Sequence, residues 1–132
     1  MRIMIVDDSK TFREAIRHLL SKNTEYEIVA EAENGKQALE ISKKEHLDIV
    51  LMDIEMPIMN GIEATKLMLY QNSLLKVVAI TSYQDKMYLM DIISAGFKAF
   101  VNKNNVFDEL EEAISDAYKG KMHVPKDLKL GS

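Results

Sequence analysis

Carboxylates, a hydroxyl and an ammonium stand at the ends of four apolar runs in this sequence. Ile3-Met4-Ile5-Val6 ends in Asp7 and Asp8, and Ile49-Val50-Leu51-Met52 ends in Asp53. Val77-Val78-Ala79-Ile80 ends in Thr81 and Ser82, and Ala99-Phe100-Val101 is followed closely by Lys103. Two unit charges about 4 Å apart repel by roughly 4 kcal/mol at an effective dielectric of 20. Three acids gathered in one patch therefore call for a cation. Mg²⁺ suits them, because it binds one or two carboxylates, keeps several waters and shares phosphate oxygens. No His or Cys stands at these positions, which argues against zinc. A carboxylate held as firmly as Asp53 can attack phosphorus and give an aspartyl phosphate. Mg²⁺ would offset charge on the phosphoryl oxygens and align the attack. Thr81 is suited to donate a hydrogen bond to those oxygens, and Lys103 to bring them a compact positive charge.

Each of these residues has a plainer reading when taken alone. Asp7-Asp8 reads as a turn or helix start, Asp53 as a residue before a turn, Thr81 as a strand residue and Lys103 as a solvated lysine. Phe100 reads as core, and Glu55 and Asn60 as loop residues. The joint pattern carries the chemistry, provided the fold brings the strand ends together.

The elements that must do so are legible in the hydrophobic pattern. The four runs lack strict alternation, as strands buried on both faces do. Tyr26 to Ala32 alternates more, with Ile28, Ala30 and Ala32 predicted on one side, and reads as a strand nearer an edge. Helical spacing follows each strand: Phe12, Ala15, Ile16, Leu19 and Leu20; Ala38, Leu39 and Ile41 after Gly35; Ile62, Leu67, Met68 and Leu69 after Asn60-Gly61. The fourth stripe, Leu89, Met90, Ile92 and Ile93, ends at Gly96, a candidate left-handed cap. The fifth, Val106, Leu110, Ala113, Ile114 and Ala117, ends at Gly120. Strand then helix, five times over, predicts an α/β fold: a doubly wound, flavodoxin-like (βα)5 three-layer sandwich with a parallel sheet in the order 2-1-3-4-5. Ligands in such sheets sit at the carboxyl ends of the strands, where the acids, Thr81 and Lys103 lie.

The 132 residues fit one domain with a sizeable core. Residues 1–120 carry the repeating pattern. Residues 121–132, with Pro125 and a final Gly131-Ser132, read as a tail or linker stub. With no cysteine, disulfides and thiolate metal sites are excluded. No run approaches the length of a membrane helix, and the first residues lack a signal-peptide pattern, so the expected location is the cytoplasm. The net charge of −4, with lysines scattered among acids, argues against direct nucleic-acid binding by this domain.

With these positions in place, the sequence resembles the receiver domains of bacterial two-component response regulators (the CheY-like superfamily). The matching segments are Ile5 to Ser9, Val50 to Gly61, Ala79 to Ser82 and Ala95 to Lys103, within about residues 1–120. The resemblance implies a phosphoacceptor switch of a phosphorelay rather than an enzyme acting on others. It implies Asp53 as phosphoacceptor. Mg²⁺ would be held by Asp8, Asp53 and the backbone carbonyl of Glu55, with Asp7 acting through water or as an outer neighbour. Thr81 and Lys103 would hold the phosphoryl group, and Phe100 would be the switch aromatic, moving inward as Thr81 shifts. The implied partners are a sensor histidine kinase or phosphotransfer protein, and an output partner or domain. Phosphorylation adds about −1.5 to −2 charge, enough to bias a two-state surface. Tyr83, Met87 and Tyr88 motivate the expectation of phosphorylation-dependent self-association or partner binding at the fourth-helix face.

The sequence departs from the family in places. Asn104 stands where many receivers have a proline after the lysine, and a cis bond before a non-proline residue costs about 3–4 kcal/mol. Phe100 lacks the hydroxyl of the commoner tyrosine, and Glu55 and Tyr83 occupy positions that vary and tune phosphoryl lifetime. Three other readings compete. A flavodoxin-like electron carrier needs a phosphate-cradling loop where Asp7-Asp8 would repel the ligand. A Mg²⁺-dependent phosphatase with an aspartyl nucleophile needs Asp-x-Asp, against Asp53-Ile54-Glu55 here. The segment Phe97 to Ala117 is similar to receivers that precede a helix-turn-helix, so the domain could be part of a DNA-binding regulator.

Overall fold

Each strand among the described residues is followed along the chain by a helix, and side-chain caps fix where the first three helices begin. The computed structural model describes residues 1–82 and 86–125, and the side chains of all of these except 86–88. Tyr83 and the side chains of Met87 and Tyr88 therefore lie outside the described residues. The order is β1 (Arg2–Val6), α1 (Lys10–Leu20), β2 (Glu27–Ala32), α2 (Gly35–Ser42), β3 (Ile49–Asp53), α3 (Gly61–Gln71), β4 (Lys76–Thr81), α4 (Lys86–Ala95), β5 (Ala99–Asn102) and α5 (Val106–Tyr118). A 3₁₀ turn, Lys103–Asn105, joins β5 to α5. Ser9, Asn34 and Asn60 cap α1, α2 and α3, each accepting a hydrogen bond from the amide three residues on. Such caps satisfy amides that the first turn leaves open. Gly96 closes α4 at φ +101, as the sequence predicted.

The sheet is parallel, in the order β2-β1-β3-β4-β5. Alternate residues of the strands feed two cores. Met4, Val6, Val50, Met52, Val77, Ala79 and Phe100 pack with α2, α3 and α4 on one face. Ile3, Ile5, Ile49, Leu51, Val78, Ile80 and Val101 pack with α1 and α5 on the other. All five residues of β3 are buried, which is why that strand reads as an unbroken apolar run.

One strand departs from expectation. β2 is an edge strand as predicted, but Ile28, Ala30 and Ala32 do not share a side. Ile3 pairs with Ile28 and Met4 with Ala30, so the register shifts and Val29 is skipped. An extra residue in one strand reverses the facing of everything beyond it. Ile28 packs toward α1 and α5, while Ala30 and Ala32 pack on the opposite core. No helix among the described residues is long and apolar enough to cross a membrane.

Candidate functional site at the carboxyl ends of the strands

Parallel strands end on one edge of the sheet, and the register decides which ends meet. Val6 is level with Met52, so Asp7 follows beside Asp53. Asp53 is level with Ile80, and Thr81 with Asn102, so Thr81 and Lys103 lie one step further along. One carboxylate oxygen each from Asp7, Asp8 and Asp53 lies within 4.8 Å of the others. Lys103 Nζ donates to Asp7 Oδ2 at 2.8 Å and lies 3.8 Å from Asp53 Oδ2. Asp7, Asp8, Asp53 and Lys103 are thus brought together, with Thr81 at the neighbouring strand end.

Asp7 is held on both sides. Its Oδ1 accepts from the Ser9 amide at 2.8 Å, while Oδ2 takes the lysine. Its backbone carbonyl accepts from Arg13 Nη1 at 2.7 Å. Arg13 is buried, and its Nε donates to Glu31 at 2.9 Å, with Arg17 on the other oxygen of Glu31. With Asp7 committed in this way, the exposed Asp8 and the buried Asp53, which accepts from the Ile54 amide, offer the remaining carboxylate oxygens to an ion. Gly61 closes the far side: a Cβ there would lie 2.2 Å from the Asp53 carbonyl oxygen. Only a residue without a side chain lets α3 begin so close to β3.

The electrostatics come from this arrangement. Burial and then the Asp7 charge push the Asp53 carboxyl up from 3.8 to about 7; Asp8 adds to the effect, while Lys103 and the Ile54 backbone amide oppose it. For Lys103, burial alone would lower the ammonium. The hydrogen bond to Asp7 and the fields of Asp53, Asp7 and Asp8 outweigh that, and hold it above its ordinary value. The one lysine is committed mainly to Asp7, so Asp53 remains short of positive charge. An all-oxygen set with one exposed member and a positive-charge deficit fits a hard, partly hydrated divalent ion.

The remaining candidates sit close by. Thr81 is buried at the end of β4 and continues the face of Val77 and Ala79. Phe100, level with Ala79, is only 1% exposed and packs in that same core with Leu89 and Ile92. The aromatic expected to move inward is already inside. Glu55 is exposed in the loop two residues past Asp53, and Asn60 serves as the α3 cap. The peptide after Lys103 is not cis, as no described residue has a cis bond; Asn102 Oδ1 accepts from the Asn104 amide at 2.9 Å and shapes the turn.

Three contributors were missed. Arg13 shares the inward stripe of Ile16 and Leu20 at helical spacing, a signal that an arginine is buried there. Phe12 places its ring 4.4 Å from Lys103 Nζ, and nothing in the sequence marks that contact. Asn102 is buried with its Nδ2 unpartnered; a polar residue closing an apolar strand was the available sign.

Comparison with known proteins agrees with this geometry. The model of the response regulator receiver domain family matches residues 3–115. The chemotaxis protein CheY of Bacillus subtilis (strain 168) is 40% identical over 114 residues, 86% of this chain and 94% of that protein. The transcriptional regulatory protein DegU of Brevibacillus brevis is 32% identical over 124 residues, 94% of this chain. The chain spans 52%, 58% and 59% of the lengths of three such transcriptional regulatory relatives. A two-component response regulator of the LuxR family from Aurantimonas sp. SI85-9A1 superposes with a TM-score of 0.91 at 31% identity, over 96% of this chain and 91% of that one. The matched span runs through all five strands and takes in Asp7, Asp8, Asp53, Thr81 and Lys103. By this match the chain belongs to the response regulator receiver domain family.

Proposed function

We propose that Asp53 is the phosphoacceptor of this receiver, taking a phosphoryl group from a phosphohistidine on a sensor kinase or phosphotransfer protein. An Asp53 carboxylate oxygen forms the new bond to phosphorus while the phosphorus–nitrogen bond of the donor breaks and the imidazole leaves. Asp8, Asp53 and the backbone carbonyl of Glu55 would hold Mg²⁺, with Asp7 behind them. Bound there, the ion supplies charge stabilisation to the phosphoryl oxygens and alignment of the attack. The observation that carries this reading is the meeting of Asp53 with Asp7, Asp8 and the Lys103 ammonium at one edge of the sheet.

Lys103 is poised between two carboxylates, so phosphoryl oxygens on Asp53 give it a third and more strongly charged partner. The Thr81 hydroxyl is the second group that turns toward them. Thr81 stands on the same strand face as the core that holds Phe100, so a shift of Thr81 is felt as repacking between β4, β5 and α4. Receiver domains are signalling switches rather than classical enzymes, and repacking of this face is the output we assign. We read residues 1–120 as the receiver and residues 121–132 as a tail or linker. Since several relatives are transcriptional regulatory proteins of which this chain spans only 52%, 58% and 59%, a DNA-binding output in the intact protein is the second reading. The expected location is cytoplasmic.

Intact-mass measurement after incubation with Mg²⁺ and a small acyl phosphate tests the proposal. One base-labile phosphoryl group is expected, absent with EDTA and absent in Asp53→Asn. A phosphoryl group that persists in Asp53→Asn would remove the basis for the reading.

A further inference from the structure

Beyond α5 the chain carries a second group of metal-ligating side chains, remote from the acidic strand ends in both sequence and role. Gly120, at φ +81, turns the chain after α5. His123 then forms a parallel bridge with Ala99 at the β5 edge. The Phe100 amide donates to the His123 carbonyl at 3.0 Å, and the His123 amide to the Lys98 carbonyl at 3.4 Å. These backbone bonds fix the ring against α5, 5% exposed. Nδ1 lies 3.0 Å from Asp116 Oδ2, and Nε2 lies 3.4 Å from Glu109 Oε1. Glu112, one helical turn before Asp116, also converges: one ligand atom each from Glu112, Asp116 and His123 lies within 4.8 Å of the others.

A neutral imidazole has one donor and one acceptor, yet both ring nitrogens here face carboxylates. When Nε2–H donates to Glu109, the Nδ1 lone pair confronts an Asp116 oxygen at hydrogen-bond distance. A proton or a metal ion placed between them removes that repulsion. A proton needs only the one acceptor, whereas the added oxygen of Glu112 is what a coordination shell needs. Glu109, buried behind the ring, stands where metal-bound histidines have an orienting carboxylate. One imidazole and two carboxylates suit a borderline ion such as Zn²⁺. Bonds of about 2.0–2.2 Å set tetrahedral ligand atoms on the order of 3.3 Å apart, close to the present Asp116–His123 spacing. Glu112 is exposed and its ligand atom already lies within 4.8 Å of those of Asp116 and His123, which leaves a fourth position for water.

We infer that Glu112, Asp116 and His123 form a binding site for a Zn²⁺-class ion, with Glu109 holding the imidazole. An ion there ties residues 121–125 to α5 and to the edge of β5, next to Phe100.

Calorimetric titration of the full chain with Zn²⁺ alone, in saturating Mg²⁺, tests this. One Zn²⁺ per chain is expected, weakened about 10–100-fold in Glu109→Gln, which only orients the ring, by more than that in His123→Asn and in Asp116→Asn, and unchanged in His46→Asn. Hydrogen exchange at the Phe100 amide is expected to slow when Zn²⁺ is added. Glu112→Gln, at an exposed position, gives the same loss of affinity without risk to folding. No Zn²⁺ uptake by the wild type, or equal uptake by both Glu112→Gln and His123→Asn, overturns the assignment and leaves the ring as a proton-bridged contact.

Discussion

The Lys103 ammonium lies 2.8 Å from Asp7 but 3.8 Å from Asp53. The nearer carboxylate is the one fixed by the Ser9 amide, and the candidate acceptor takes the weaker share of the charge. Lys103 thus serves Asp53 while anchored elsewhere, with the Phe12 ring against it. Lys103→Met is expected to push the Asp53 carboxyl above about 7 and to slow its phosphorylation by roughly 10²-fold. Carboxyl titration by NMR and the rate of acyl phosphate labelling check the two effects separately.

The raised Asp53 carboxyl sets a sign for pH dependence. Between 3.8 and about 7 the folded protein holds a proton that the unfolded chain has released. Stability contributed by this group therefore falls as pH rises through that window and levels off above it. Without Mg²⁺, Asp53→Asn should melt higher than the wild type at about pH 8, by on the order of 1 kcal/mol or roughly 3 °C. The two should be nearly equal at about pH 5, and excess Mg²⁺ should close the gap at the higher pH. Thermal melts under these four conditions suffice.

Gly61→Ala should damage both fold and site. The added Cβ meets the Asp53 carbonyl oxygen at 2.2 Å, Met52 Cγ at 2.9 Å and the Ile54 Cα at 3.0 Å. Two of these are backbone atoms, so relief requires moving β3 or α3. A loss of about 1–3 kcal/mol is expected by urea unfolding, with phosphorylation slowed even in the fraction that remains folded.

Arg13→Met keeps the buried stem and removes the guanidinium. The Asp7 carbonyl loses its 2.7 Å donor, and Glu31 keeps only Arg17. A cost of about 1–3 kcal/mol is expected from a buried acceptor left unmade. The looser Asp7-Asp8 turn should also weaken Mg²⁺ binding severalfold, measured by titration of the folded variant.

The strands could be read because each is a short apolar run. Their ends could be read because Asp7, Asp53 and Thr81 interrupt those runs. β2 was misread in part: a bulge shifts its register by one residue, and alternation in one strand says nothing of a residue skipped in its pairing. Arg13 hid because an arginine on an apolar face is usually solvated, while here Glu31 and the Asp7 carbonyl receive it. Asn102 and Phe12 carried no local mark, since their role comes from neighbours supplied by other elements.

The sequence alone determined the alternation of βα units and the placing of three acids, a hydroxyl and an ammonium at strand ends. Hydrophobic periodicity and caps are local, so they survive in a linear reading. Tertiary structure alone decided that Lys103 reaches Asp7, 96 residues away in the chain, more closely than Asp53. It also decided that Phe100 lies inside and that His123 meets Glu109 and Asp116. Charge sharing and burial depend on distances of a few ångströms between distant segments, and packing sets those distances.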